Sequence, residues 1–296
     1  MPLYRLLLRF HSLKDPLADT ASHVPTLHSR NSYSCRDKLH KPAVLWLIVP
    51  VLQKLDFPLA ELYLQGAHLV RFRDWLYLSS ASHFEEGKAI RGGIPVAFPW
   101  FGPKDNAPQH GWARTSLWEV ESQSDSGVAL VLSQDNWHLR LAYGFGEVLT
   151  ARVEVKNLGR EPRSFELALH TYFAVSDVAG VRVEGLDGLT YADRTRGSEH
   201  FRQSGPLGFE GEVDRTYLNA PSPLRIADGE GGYELRGDWK SAITWNPGGA
   251  KAAQMSDVGA EEWRRFVCLE VGAVADNAVE LAPQGAWTMN MEVARL

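Results

Sequence analysis

A histidine and a glutamate from distant parts of the chain each fall on a short run with period-two patterning. In RSFELALHTYF (residues 163–173) Phe165, Leu167 and Leu169 share one face, so His170 lies on the other with Glu166, Ala168 and Tyr172. In RRFVCLEV (residues 264–271) Val267, Leu269 and Val271 share a face, which leaves Glu270 with Phe266 and Cys268. That half-apolar setting raises a carboxylate's pKa by desolvation and suits a base working near neutrality. An imidazole and such a carboxylate, meeting on one ligand, supply the two proton relays of a general acid–base reaction. The plainer readings are a strand histidine bonded to a neighbour and an ion pair of Glu270 with Arg264 or Arg265.

A second candidate is RGGIPVAFPWFGP (residues 91–103). Its paired glycines and three prolines dictate a non-regular path, and Phe98, Trp100 and Phe101 are more aromatic surface than so short a loop is expected to bury. Such a segment either shapes a site or packs on its own aromatics as an Ω-type loop. QHGWAR (residues 109–114) follows, with Gly111 allowing a tight backbone beside Trp112. Arg91 and Arg114 can each hold an anion in a bidentate fork, and the bare backbone of Gly92 and Gly93 is expected to let that anion approach. Their plainer reading is a surface salt bridge.

The elements that must position these groups are strands. From about Phe57 onward, short runs of period two are separated by Gly, Pro, Asn and Asp. Leu117, Glu119 and Glu121 alternate with Trp118 and Val120 before an SDSG turn (residues 124–127), predicting a hairpin. LRLAYGF (139–145), EVLTARVEVKN (147–157), GVRVEG (180–185) and WTMNMEV (287–293) continue the pattern. Long amphipathic helices do not alternate with these runs, which argues against a Rossmann or TIM topology and for packed antiparallel sheets. The fold class is all-β.

Composition narrows the function. The chain has 296 residues, 44% hydrophobic and 23% charged, as in ordinary globular proteins, and a net charge of -5. It has no general attraction for nucleic acid or an anionic membrane, so any anion must be held by a local basic site. Two cysteines, Cys35 and Cys268, are too few for a disulfide framework and point to a reducing, cytoplasmic compartment. The longest uncharged stretch, PAVLWLIVPVLQ (42–53), falls short of the roughly 20 residues that cross a bilayer. Residues 1–41, rich in Ser, His and Arg, are expected to be a flexible or spurious extension, and residues 42–296 the folded domain. The run 42–52 is either a first strand of that domain or an artefact of where the gene was taken to start. No His, Asp or Glu set has metal-ligand spacing, so no metal is expected.

Five motifs in order, RGGIPVAFPWFGP, QHGWAR, LHTYF (169–173), VDRTY (213–217) and FVCLEVGAV (266–274), make the chain similar to the hexose-6-phosphate mutarotase branch of the aldose 1-epimerase family, from about Phe57 to the C-terminus. The resemblance implies a large antiparallel β-supersandwich of the galactose mutarotase-like kind. It implies an isomerase that interconverts the α and β anomers of a sugar phosphate such as glucose 6-phosphate, without metal or organic cofactor. His170 matches the general acid at the ring oxygen and Glu270 the general base at the anomeric hydroxyl. Gln109, His110 and Asp214 match positions lining the sugar, although Asp214 could instead cap a turn. Arg91 and Arg114 lie inside the same motifs and are the candidates for the phosphate. The expected partner is a small sugar phosphate, with the chain monomeric. The alternatives are an epimerase of free aldoses and a non-catalytic sugar-phosphate-binding protein; a glycoside hydrolase would need two opposed carboxylates.

Overall fold

Period-two patterning is realised as strands that bury alternate side chains. The computed structural model describes residues 52–229 and 231–296; the expected extension over 1–41 and the stretch 42–51 lie outside the described residues. Trp137–Phe145 and Leu149–Asn157 bury every second residue and pair in antiparallel register along their whole length. Because the side-chain period is two, a one-residue slip would turn each apolar set to solvent, so burial itself selects the register.

Two eight-stranded sheets carry the architecture. One runs Arg182–Glu184, Leu224–Asp228, Gly231–Gly237, Ala286–Arg295, Leu149–Asn157, Trp137–Phe145, Gly127–Gln134 and Glu119–Ser124. The other runs Glu199–Arg202, Thr190–Asp193, Val213–Leu218, Ser241–Asn246, Phe266–Ala273, Leu167–Leu169 and Val96–Ala97, with Tyr172–Ala174 also paired to Phe266–Ala273. Every pairing within these sheets is antiparallel. The fold is the antiparallel β-supersandwich that the motifs imply. Val267, Leu269 and Val271 join Leu139, Leu141, Val153, Met289 and Val293 in the main core. Each such side chain contributes about 1.5–3 kcal/mol on full burial. The opposite face of the second sheet is then free for chemistry.

Three local expectations are corrected and one is refined. RSFELALHTYF is not one strand but three, Arg163–Phe165, Leu167–Leu169 and Tyr172–Ala174. The break falls at His170 because its backbone N–H turns to the Pro95 carbonyl at 2.9 Å, and that of Tyr172 to the Gly93 carbonyl at 2.9 Å. The expected hairpin forms, but Glu119–Ser124 is an edge strand exposed along its length, and its register shifts between Val120 and Ser122. Phe98 and Phe101 are both buried, and only Trp100 is partly exposed. The loop finds room because Phe98 packs edge-on against Trp112 and Trp137, which come from other elements.

Finally, the bare backbone of Gly92 and Gly93 is used by the protein and not left for an anion. At Gly93, φ is +62° and a Cβ would lie 2.2 Å from the Leu69 carbonyl oxygen. The buried His68 ring holds the same turn, its Nε2–H donating to the Gly92 carbonyl at 2.7 Å. The loop thereby presents Arg91 from a rigid base.

Candidate active site

The two faces read from the sequence meet in one cavity. Leu169 pairs with Val271 and Tyr172 with Cys268, so the register runs unbroken through the gap and sets His170 opposite Glu270. Directly paired residues have side chains about 4.5–5.5 Å apart at Cβ. His170 Nε2 lies 3.4 Å from Glu270 Oε1, and both side chains are buried. Arg264 and Arg265 do not compete for Glu270: the first pairs with Glu261 and Asp177, and the second donates to the Ser176 carbonyl.

All seven residues singled out from sequence, Arg91, Gln109, His110, Arg114, His170, Asp214 and Glu270, line this cavity of about 190 Å³. Phe101, Arg194, Ile243, Trp245, Lys251 and Met255 complete it. A larger hollow of about 590 Å³ opens nearby along the same sheet and shares Arg194, but neither His170 nor Glu270 lines it.

Burial sets the protonation of the pair. It pushes the Glu270 carboxyl well above the usual carboxylate range, with the Asp214 charge adding to the effect. It also pushes the His170 imidazole well below its ordinary value, reinforced by His110, Arg91 and Arg114. Burial therefore favours the uncharged pair, with its single proton on the carboxyl, over imidazolium with carboxylate. His170 Nδ1 and Glu270 Oε2 are buried without hydrogen-bond partners among the described residues.

The surrounding groups are held to different degrees. The His170 ring stacks on Tyr172, with centroids 4.9 Å apart and planes at 12°. The Tyr172 hydroxyl accepts from Arg91 Nη1 at 2.8 Å, and Arg91 Nε and Nη2 donate to Asp257 at 3.0 and 2.8 Å. Arg91 is thus neither a free surface cation nor an exposed salt bridge, being about three-quarters shielded as a side chain. Arg114 donates to the Gln109 carbonyl at 2.7 Å, its Nε is buried without a partner among the described residues, and desolvation pulls its pKa down to about 10. Arg194 stacks 4.8 Å over the Phe101 ring, and Lys251 pairs with Glu212. His110 accepts the Gly102 N–H at Nδ1, so its Nε2 carries the proton and can donate. Burial and the nearby guanidiniums push the His110 pKa down to about 3. Asp214 sits within Val213–Leu218 opposite Trp245, where it caps no turn, and burial raises its pKa.

Sequence reasoning missed Arg194, Lys251 and Trp245 as site residues. Arg194 stands in YADRTRG (191–197), on a short turn in which Asp193 caps the Thr195 N–H, and no periodicity marks it. It also missed a donor set. His170, Cys268 and Glu270 bring an imidazole nitrogen, a sulfur and a carboxylate oxygen within 4.8 Å of one another. Motif spacing could not find it, because the ligands come from paired strands.

A buried imidazole–carboxylate pair on one face of such a sandwich, ringed by guanidiniums, has the parts an acid–base relay on a charged sugar would need. The family model described as aldose 1-epimerase matches residues 54–294, and the chain belongs to that family. Within it, the chain is 36% identical over 259 residues to a protein of Cenchrus ciliaris named "Putative glucose-6-phosphate 1-epimerase", covering 77% of this chain and 78% of that one. It is 33% identical over 245 residues to the Escherichia coli protein of the same name, covering 73% and 80%. Among solved structures, it is similar to a "putative mutarotase" from Salmonella typhimurium with a TM-score of 0.74 and 28% identity, over 82% of this chain and 89% of that one.

Proposed function

We propose that this chain interconverts the α and β anomers of a hexose 6-phosphate of the glucose 6-phosphate type. The observation that carries the reading is the 3.4 Å approach of His170 to Glu270 in a cavity lined by Arg91, Arg114 and Arg194. The named relatives in Cenchrus ciliaris and Escherichia coli support the same substrate.

Glu270 takes the proton of the anomeric hydroxyl while His170 gives one to the ring oxygen. The C–O bond of the ring breaks, the aldehyde end rotates, and closure on its other face reverses both transfers. The reactive form, imidazolium with carboxylate, holds the same single proton as the resting pair, so no proton need come from solvent. Ring opening returns the pair to the uncharged form that burial favours, so the pair ends the step in the protonation state in which it rests. Asp214 and the His110 Nε2–H are placed to bond sugar hydroxyls, Trp245 offers an apolar ring face, and the guanidiniums answer the phosphate. A phosphorylated sugar does not cross lipid unaided, which supports a cytoplasmic enzyme.

Polarimetry of freshly dissolved α-glucose 6-phosphate tests the reading. The protein is expected to speed mutarotation, and His170→Ala and Glu270→Gln are each expected to lower kcat by about 10² to 10⁴. Unchanged turnover in either variant overturns the assignment.

A further inference from the structure

The acid–base pair has a third neighbour that ring opening does not use. Cys268 lies two residues before Glu270 on the same face of Phe266–Ala273, fully buried and directly paired with Tyr172. Burial holds it as a thiol, well above its ordinary pKa, so it is poorly suited to act as a nucleophile or to be oxidised. Coordination is a different matter, since a cation can displace the thiol proton.

The geometry fits a borderline-soft divalent cation. Tetrahedral zinc, with bonds of about 2.0–2.3 Å, holds its donors about 3.5 Å apart. His170 Nε2 and Glu270 Oε1 already lie 3.4 Å apart, and the sulfur completes a trio whose donor atoms are all within 4.8 Å of one another. Independently of that clustering, Glu270 Oε2 and His170 Nδ1 are buried and unpartnered among the described residues. Once Glu270 is ionised, its Oε2 offers a lone pair with no protein donor to satisfy it, whereas His170 Nδ1 carries the ring hydrogen when Nε2 is the ligand atom. Three protein donors leave one position for water or a sugar hydroxyl, as in open zinc sites.

We propose that His170, Cys268 and Glu270 form an inhibitory site for a thiophilic divalent cation of the zinc class, overlapping the acid–base pair. Binding releases the thiol proton and the proton of the pair. One double positive charge replaces two single ones, so the net charge beside Arg91, Arg114 and Arg194 does not change. The bound cation occupies the lone pairs that ring opening needs, and turnover stops. The inhibition rests on the acid–base reading above; the coordination does not.

Cobalt(II) serves as the spectroscopic probe and zinc as its competitor on the full chain. Cobalt is expected to give a thiolate-to-metal charge-transfer absorption that zinc abolishes, that Cys35→Ser retains, and that Cys268→Ser and Cys268→Ala both lose. Zinc is expected to inhibit mutarotation of glucose 6-phosphate over the range in which it displaces cobalt, and Cys268→Ser to weaken that inhibition by about tenfold or more. No absorption, absorption that survives in folded Cys268 variants, or equal zinc inhibition with and without the thiol overturns the proposal. If cobalt binds through Cys268 but no sugar phosphate is turned over, the metal site stands and the catalytic reading falls.

Discussion

Removing the Arg194 guanidinium is expected to separate phosphate recognition from ring opening. Four cations line the cavity, and two are already answered by carboxylates: Arg91 by Asp257 and Lys251 by Glu212. Arg114 has only a backbone carbonyl and Arg194 only the Phe101 ring, so among the described residues neither forms a salt bridge. An unanswered guanidinium gives an incoming dianion its full charge-assisted hydrogen bond, about 1.5–3 kcal/mol. Arg194→Ala is therefore expected to lower kcat/KM on glucose 6-phosphate by roughly 10- to 150-fold, chiefly through KM, with little change on glucose. Arg91→Ala is also expected to raise KM for the phosphorylated sugar more than for the free one, but with a lower Tm, because Asp257 is left half-buried without its partner. Coupled polarimetric assays on both sugars measure the split. Equal losses on both would mean that Arg194 does not touch the phosphate, and no loss on either would place the phosphate elsewhere.

Two further outcomes concern the frame of the site. His68 is neutral when folded, with burial pushing its pKa down to about 4, so as pH falls below its unfolded value the unfolded chain takes the proton first. Stability is then lost at about 1.4 kcal/mol per pH unit, about 2 kcal/mol by pH 5, until the folded pKa is reached. His68→Gln keeps a donor for the Gly92 carbonyl without titrating, so its urea midpoint is expected to drop less between pH 7 and 5; an equal drop removes His68 as the cause. Gly111 has φ +73°, and a Cβ there would lie 1.9 Å from the Phe98 carbonyl oxygen. Gly111→Ala is expected to cost roughly 2–5 kcal/mol in chemical denaturation, and a near-neutral result would contradict this turn geometry.

How far the site was legible follows from what repeats along a chain. The faces of His170 and Glu270 could be read because strand side chains alternate with period two, and the register that opposes them obeys the same alternation. The split of RSFELALHTYF could not be read, since it depends on carbonyls of Gly93 and Pro95 far away in sequence. The roles of the paired glycines were misread for a related reason: a bare backbone marks a close approach without saying what approaches.

Sequence alone settled the strand-rich class, the family motifs and the residue types able to relay a proton. Tertiary structure alone decided that Arg91 is tied to Asp257, that Arg194 and Trp245 join the cavity, and that a thiol lies beside His170 and Glu270. Alternation is a local property, written residue by residue by the pleat of the backbone. Which charges answer one another across a cavity depends on distances between strands remote in sequence, and those exist only once the sheets have packed.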